Sequence, residues 1–221
     1  MRGAFITLEG VEGVGKSTLR ERAQALLTQL GFRVVATREP GGTPLGEKLR
    51  EWILDAEHGV LSAEVETLLM FAARGYHLDN VIRPALQRGD WVLCDRFTDA
   101  TIAYQGAGRG ASSALLAALK HAIHEGLEPD LTILLDAPVE IGMARIADRA
   151  KDHFEREDSA FFERVRARYL ALAAEAPERF VIVDAARPIE AVWQQAAAAL
   201  TRFAEGFRQS VPSDPGFTRH G

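Results

Sequence analysis

The sequence has little cysteine, no excess of basic residues and no long apolar run. Cys94 is the only cysteine among 221 residues, which excludes a disulfide framework within the chain and is typical of a reducing compartment. The net charge of -5 argues against a nucleic-acid backbone as the main ligand. Because no apolar stretch reaches membrane-spanning length and Met1-Arg2-Gly3 leads directly into a predicted strand, we expect no membrane segment and no signal peptide. These features predict a cytoplasmic protein.

The remaining composition is that of an ordinary globular chain, with 47% hydrophobic and 26% charged residues. A chain of 221 residues suits one α/β domain with small insertions. We place this domain at residues 1–207. Residues 208–221 contain Pro212, Pro215 and Gly216 with few apolar side chains, and we predict a disordered tail there.

A glycine-rich motif follows the first apolar run. It matches the pattern G-x-x-x-x-G-K-[ST] of a phosphate-binding loop (P-loop) with Gly10, Val11, Glu12, Gly13, Val14, Gly15, Lys16, Ser17 and Thr18. Glycines let the backbone fold tightly around an anion, and the N–H groups at the start of the next helix then face it. The pattern predicts that Lys16 reaches the β- and γ-phosphates of ATP and that the Ser17 hydroxyl binds Mg²⁺.

The rest of the chain alternates apolar runs with amphipathic stretches. Buried strands are predicted at 4–8, 32–36, 91–95, 131–135 and 180–184. Helices are predicted at 19–30, 46–54, 63–86, 98–104, 112–125, 139–147, 161–175 and 189–207, with a glycine-rich break at 105–110. This order predicts a five-stranded parallel sheet with helices on both faces, of the P-loop NTPase or nucleoside monophosphate kinase type.

Charged side chains follow two of the predicted strands. Arg38 and Glu39 lie in a loop rich in proline and glycine after the second strand, and Asp95 and Arg96 end the third. Loops at the carboxyl ends of parallel strands bind the ligands of open α/β sheets. Asp95 has the position of a Walker B aspartate, and an acid beside a guanidinium suits a site that holds both metal and phosphate.

The segment 145–158 has the densest mixed charge in the chain. Such a run is usually a solvated helix face. Beside a triphosphate site it is also a candidate lid, because phosphoryl transfer benefits from a segment that excludes water.

Two classes of P-loop protein compete at this point: a small-molecule kinase, and a nucleotide-driven switch or motor. A GTPase switch normally carries an N-K-x-D loop, which this sequence lacks, and a DNA-dependent motor would have more length or a basic surface. The arginine-bearing loops and the charged lid candidate favour phosphoryl transfer to a second bound phosphate.

Six motifs together resemble the bacterial thymidylate kinases over nearly the whole chain to about Phe207. The motifs are Leu8-Glu9-Gly10-Val11-Glu12-Gly13, Thr37-Arg38-Glu39-Pro40-Gly41-Gly42-Thr43, Met70-Phe71-Ala72-Ala73-Arg74, Asp95-Arg96-Phe97, Ala103-Tyr104-Gln105-Gly106 with Gly108-Arg109-Gly110, and Arg166-Ala167-Arg168-Tyr169-Leu170. The resemblance implies the reaction ATP + dTMP → ADP + dTDP with Mg²⁺, in a cytoplasmic homodimer. The alternative is another nucleoside monophosphate kinase of the same fold.

The resemblance also implies roles for individual residues. Glu12 would lie by the sugar 3′-hydroxyl, Lys16 with Ser17 or Thr18 would serve the ATP phosphates and the metal, and Asp95 would belong to the metal and phosphate site. The dTMP phosphate would be held by Arg38, Arg50 and Arg96, and the thymine edge would be read by Arg74, Thr101 and Gln105.

Two positions depart from the family pattern. Met70 stands where the family often has the aromatic ring that stacks on the base, and Phe71 is next to it. Either of the two could cover the base, and Phe71 is the candidate with an aromatic ring. His153 stands where many members have a lid arginine, which leaves Arg149, Arg156 or Lys151 for that role. We take Arg149 as the first candidate, so that Lys16, Asp95, Arg96 and Arg149 form the predicted catalytic set.

The apolar helical stretch from Leu68 to Ile82 supports the expected homodimer.

Overall fold

A central parallel sheet organises the computed structural model, which describes residues 2–55, 61–147, 154 and 157–209. Its strands are Phe5–Glu9 (β1), Val34–Arg38 (β2), Trp91–Asp95 (β3), Leu131–Asp136 (β4) and Phe180–Asp184 (β5). The order across the sheet is β2-β3-β1-β4-β5, and all pairs are parallel. The predicted five-stranded parallel sheet is confirmed, with the P-loop strand at its centre.

Helices connect the strands. They are Lys16–Gln29 (α1), Pro44–Leu54 (α2), Ala63–His77 (α3), Arg83–Gln87 (α4), Thr98–Thr101 (α5), Ser113–His124 (α6), Val139–Arg145 (α7), Ser159–Glu175 (α8) and Ile189–Gln209 (α9). Two π-helical segments, Leu78–Ile82 and Ile102–Gly108, extend α3 and α5. Within the described ranges, no helix is both long and apolar enough to cross a membrane.

Alternate residues of β1 enter two separate hydrophobic clusters. Ile6 and Leu8 pack with residues of α1, α8 and α9, whereas Phe5 packs with Leu78 and Ile82 on the other side. Successive side chains of a strand point to opposite faces, so both faces of the sheet are covered. Burying each of these side chains stabilises the fold by about 1.5–3 kcal/mol.

The long helix predicted at 63–86 is not continuous. It changes to a π-helix at Leu78–Ile82 and resumes as α4. Pro84 has no N–H to donate to the carbonyl four residues earlier, and the chain takes the wider turn directly before it.

The glycine-rich break predicted at 105–110 is wrong for its first four residues, because the π-helix continues through Gly108. A Cβ at Gly108 would lie 2.5 Å from Cε2 of Phe161 in α8. The glycine at this position therefore serves close packing between two helices, not a chain break.

Two predicted segments fall largely outside the described residues. The lid candidate at 145–158 includes residues 148–153, 155 and 156, which are not described, and Arg149 is among them. The tail beyond Gln209 is likewise not described, while α9 extends two residues past the predicted domain end at 207. Both the lid and the disordered tail stay predictions.

Candidate active site

The P-loop joins the end of β1 to α1 in a conformation that requires glycine. Gly10 and Gly13 have φ angles of 137° and 71°, in the region that residues with a Cβ rarely adopt. A Cβ at Gly13 would also lie only 2.0 Å from the carbonyl oxygen of Gly142 in α7. The helix begins at Lys16, directly after the loop, so its N-terminal N–H groups face the same site as the loop does.

Lys16 is held by the loop that precedes it. Its Nζ donates hydrogen bonds to the carbonyl oxygens of Gly10 at 2.9 Å and Val11 at 2.7 Å. Burial lowers the pKa of Lys16 to about 8, and the nearby Arg96 guanidinium adds to this effect against the raising influence of Glu12. The amine is therefore still mainly protonated at pH 7, and a bound phosphate would raise its pKa again.

A cavity of about 400 Å³ opens beside the P-loop at the carboxyl ends of β1, β2 and β3. It brings together most of the predicted site residues: Glu12, Gly13, Gly15, Lys16, Ser17, Thr18, Arg38, Arg50, Arg74, Asp95, Arg96, Thr101 and Gln105. Gly10, Val11, Val14 and Phe71 do not line it. The sequence therefore located the cavity, whereas ligand contacts of the individual residues stay predictions.

Arg96 is placed by a strained backbone. Its φ angle is 67°, which is uncommon for a residue other than glycine and points to a functional constraint. Its Nη2 donates to Glu12 Oε1 at 2.7 Å, and its Nη1 donates to the Gly10 carbonyl at 3.0 Å and to the Tyr169 hydroxyl at 3.2 Å. The guanidinium is thus fixed against the P-loop at the cavity wall.

Two tyrosines that stand in the sequence motifs above, but to which no role was assigned, complete this network. The Tyr104 hydroxyl donates to Glu12 Oε2 at 2.6 Å, and the Tyr169 hydroxyl donates to Glu9 Oε2 at 2.7 Å. Burial, with a further effect of Asp99, raises the pKa of Glu9 to about 8. In the sequence, Tyr169 follows the apolar spacing of α8 and looks like an ordinary core aromatic, so only the fold reveals its contacts.

Arg74 is a buried guanidinium that donates three hydrogen bonds. Its Nε donates to Glu39 Oε2 at 2.7 Å, and its Nη2 donates to Thr101 Oγ1 at 2.9 Å and to the Phe97 carbonyl at 3.2 Å. Its Nη1 is buried and has no hydrogen-bond partner in the described part of the chain. A buried donor without a partner is costly. Arg74 is also one of the residues that line the cavity, so its guanidinium is a candidate donor to a ligand.

Met70, rather than Phe71, reaches the cavity. The Phe71 ring is 1% exposed and packs under the guanidinium of Arg74, whose Cζ lies 4.7 Å from the ring centroid. The assignment of Phe71 as the ring that covers the base does not fit this position. Phe71 instead supports Arg74, which lines the cavity, through a cation–π contact.

Three further predicted site residues, Arg38, Arg50 and Asp95, line the cavity, and Arg38 lies beside Asp95 in the register of β2 and β3. Arg38 Nη2 donates to Glu47 Oε2 at 2.7 Å and Arg50 Nη1 donates to the Pro40 carbonyl at 3.2 Å, so both are held near the loop after β2. Asp95 Oδ1, at the end of β3, is buried and has no hydrogen-bond partner among the described residues. An unpaired carboxylate oxygen opposite a phosphate-binding loop is suited to a cation.

A second cavity, of about 220 Å³, lies on the other side of the P-loop, where β4 and β5 end. The residues that follow these two strands contribute Arg145, Arg187, Val192 and Trp193 to its wall, and α1 contributes Arg22. Arg145 Nη1 donates to the Ala185 carbonyl at 3.0 Å and Arg22 lies over the Trp193 ring at 5.9 Å. The sequence did not predict this cavity, because the part of its wall outside the P-loop matches no short motif.

A parallel sheet with the phosphate-binding loop on its central strand and a Walker B aspartate on the neighbouring strand defines a P-loop NTPase fold, and the arginines around the cavity suit a phosphotransferase. A family model described as thymidylate kinase matches residues 8–196. The chain belongs to the thymidylate kinase family.

Individual relatives agree with this assignment. The chain is 53% identical over 209 residues to a thymidylate kinase of Pseudomonas fluorescens, covering 94% of this chain and 100% of that protein. It is 56% identical over 199 residues to one of Alcanivorax borkumensis, covering 89% and 95%. The crystal structure of thymidylate kinase from Ehrlichia chaffeensis superposes with a TM-score of 0.73 at 31% identity, covering 90% of this chain and 99% of that one.

Proposed function

We propose that this chain transfers the γ-phosphoryl group of ATP to dTMP and releases ADP and dTDP. The observation that carries the proposal is the 400 Å³ cavity, which combines the P-loop with a buried, unpartnered Arg74 Nη1 and Asp95 Oδ1 among the described residues. Membership of the thymidylate kinase family supports the same reaction. The alternative, another nucleoside monophosphate kinase, has no observation in its favour.

The acceptor occupies the cavity between the loops after β1, β2 and β3. Its phosphate is held by Arg38, Arg50 and Arg96, and its base lies toward Arg74, whose guanidinium can donate to a carbonyl oxygen of the base. Glu12 accepts from the sugar 3′-hydroxyl at the mouth of the P-loop. Because Tyr104 and Arg96 already fix this carboxylate, the sugar meets a preorganised acceptor.

No general base is needed for the transfer. The second pKa of a phosphate monoester is about 6, so the attacking oxygen of the acceptor is already ionised at neutral pH. The residues act by bringing two anions together and by neutralising the charge that spreads over the transferring group. Lys16 supplies one positive charge at the P-loop, and Arg96 supplies another on the acceptor side.

Mg²⁺ fits the residues on the donor side. It prefers oxygen ligands, and protein sites hold it with one or two carboxylates plus substrate phosphates. Asp95, with its unpartnered Oδ1, and the Ser17 hydroxyl would hold the ion, and it would supply charge neutralisation between the phosphates. In the described residues no cluster of three or more acidic, histidine or cysteine side chains could hold a metal ion.

The second cavity accommodates the base of the ATP. It shares Gly13, Gly15 and Thr18 with the main cavity, so a nucleotide whose phosphates lie on the P-loop reaches it directly. Trp193 and the guanidinium of Arg145 offer a flat ring and a flat cation, which suit a purine.

A homodimer is part of the proposal. Val65, Leu68 and Tyr76 on α3 are 43%, 47% and 45% exposed and share one face of the helix. By contrast, Leu78 and Ile82 are fully buried in this chain's own core, so the apolar surface for a partner is shorter than the predicted stretch. Light scattering at micromolar concentration should give twice the mass of 24.2 kDa, and Leu68→Glu should give the single mass. A cytoplasmic location stays a prediction from the sequence.

A coupled assay of ADP release tests the reaction across dTMP, dUMP, dCMP, AMP and GMP. We expect dTMP to have the highest kcat/KM, and chelation of Mg²⁺ to abolish turnover. Faster phosphorylation of AMP, GMP or dCMP than of dTMP would favour the alternative kinase.

A further inference from the structure

Glu66 is a fully buried acid that the reaction described above does not use. It lies in the first turn of α3 with 0% of its surface exposed. Its Oε1 accepts a hydrogen bond from Gln105 Nε2 at 2.6 Å, and its Oε2 lies 3.3 Å from Arg109 Nε. Burying an acid is costly unless it is paired, so the hydrogen bond from Gln105 and the nearby Arg109 are needed to stabilise Glu66 in this position.

Arg109 favours the ionised form of Glu66. A guanidinium is permanently charged, and this one is itself held in place: its Nη2 pairs with Glu157 Oε1 at 2.9 Å, and it lies over the Phe154 ring at 5.2 Å. An ionised carboxylate can only accept hydrogen bonds. Gln105 must therefore present its Nε2 to Glu66, and the charge on Glu66 fixes which way the Gln105 amide is turned.

This orientation determines what the cavity offers to a base. Gln105 lines the cavity and its nitrogen is engaged with Glu66, so its amide oxygen is the atom that can accept from a ligand. Arg74 lines the same cavity, and its guanidinium can only donate hydrogen bonds. A donor beside an acceptor matches the 4-oxo group and the N3–H of thymine. Cytosine presents the reverse pattern, with an amino donor and an unprotonated N3.

We propose that Glu66 is a positioning residue that sets the preference for thymine over cytosine by fixing the amide orientation of Gln105. The proposal rests on the dTMP kinase function. Glu66 contacts Gln105 and not the ligand. Its effect should therefore appear in the relative kcat/KM for the two pyrimidine nucleotides, not in the rate of phosphoryl transfer.

Glu66→Gln tests the proposal. The new amide can donate to Gln105 Oε1, so Gln105 can turn and present its nitrogen to the N3 of cytosine. We expect the ratio of kcat/KM for dTMP to that for dCMP to fall at least about 10-fold, with kcat/KM for dCMP rising, because one reversed buried hydrogen bond is worth about a factor of ten or more. The kcat for saturating dTMP should change less than the ratio does.

Glu64→Gln is the matched control, because Glu64 is an exposed acid on the same first turn of α3. It should keep the wild-type ratio. An unchanged ratio in a folded Glu66→Gln overturns the proposal, as does a fall caused only by slower dTMP turnover. A wild-type enzyme that does not prefer dTMP would instead refute the proposed function, so the two failures are distinguishable.

Arg109→Gln provides a second test of the proposal if Glu66→Gln does not fold. Loss of the neighbouring cation favours a protonated Glu66, whose hydroxyl can donate to the Gln105 oxygen. The dTMP to dCMP ratio should fall here too, and an unchanged ratio in this variant also overturns the proposal.

Discussion

Glu39→Gln should destabilise the protein by removing the only charge that the buried Arg74 is paired with among the described residues. Glu39 is 5% exposed and Arg74 is 2% exposed. Removing one partner of a buried ion pair costs about 3–5 kcal/mol, because the other charge is left uncompensated. The glutamine oxygen can still accept from Arg74 Nε, so we expect the lower end, about 3 kcal/mol. For a chain of this size, that corresponds to a fall in Tm of about 6–12 °C.

Urea denaturation measures this loss, and Glu47→Gln is the matched control. Glu47 makes an ion pair of the same 2.7 Å length with Arg38, but the two side chains are 39% and 44% exposed. Such surface pairs contribute about 0–1 kcal/mol. If Glu39→Gln cost no more than Glu47→Gln, the reasoning from burial would be wrong. Adding Arg74→Met to Glu39→Gln should restore part of the stability, since both charges are then absent.

The cost of Glu39→Gln should also depend on pH. Burial alone would raise the pKa of Glu39, but Arg74 and His77 outweigh it and hold the pKa below its ordinary 4.5. A carboxyl whose pKa is depressed in the fold contributes stability above 4.5 and loses it as the pH falls through its folded value. The difference in stability between wild type and Glu39→Gln should therefore shrink below pH 4.5, and a difference independent of pH would contradict the pairing.

Three further predictions concern catalysis and stability. Lys16→Ala should keep the circular dichroism spectrum of wild type and lower kcat by about 10²–10³, and near-normal turnover would refute the P-loop assignment. Glu9→Gln should remove a pH dependence of stability. The pKa of Glu9 is raised to about 8 in the fold, so wild type loses stability on the order of a few kcal/mol as the pH rises from 4.5 to 8. Equal pH dependence of the unfolding free energy in wild type and in Glu9→Gln would contradict this. Arg149→Ala should lower kcat by about 10²-fold with little change in the KM for dTMP. If kcat is unchanged in Arg149→Ala, Arg156→Ala and Lys151→Ala, the lid hypothesis is wrong and the segment is better interpreted as a solvated helix face.

The sheet and the P-loop could be predicted from the sequence because their signals are local. Strand β3 was predicted with its observed bounds, since a parallel strand covered on both faces is a continuous apolar run. The spacing of glycines and Lys16 is likewise dictated by the loop's own backbone. By contrast, β2 begins at Val34, two residues later than predicted, because Phe32 has the same apolar character but stacks on Trp91 before the strand starts.

The contacts that shape the site could not be predicted because they join distant parts of the chain. Tyr169 and Glu9 are separated by 160 positions, and their hydrogen bond exists only once α8 packs beside β1. Met70 and Phe71 pose a different problem. They are adjacent apolar residues on one helix, about 100° apart around its axis, so the rotation of α3 decides which one faces the ligand. Hydrophobic patterning does not fix that rotation when both neighbours are apolar.

The position of β1 between β3 and β4 divides the enzyme into two halves that can change independently. Loops after β2 and β3 contribute to the main cavity only, whereas residues after β5 contribute to the second one only. The P-loop and Arg145, which follows β4, line both. With the monophosphate in the main cavity and the base of ATP in the second, as proposed, a substitution in Arg38–Leu54 or Thr98–Gln105 should change which monophosphate is accepted and leave ATP binding as before. The same division makes the fold a convenient starting point for engineering: the acceptor loops can be exchanged as a set, and the phosphate-activating half is inherited unaltered.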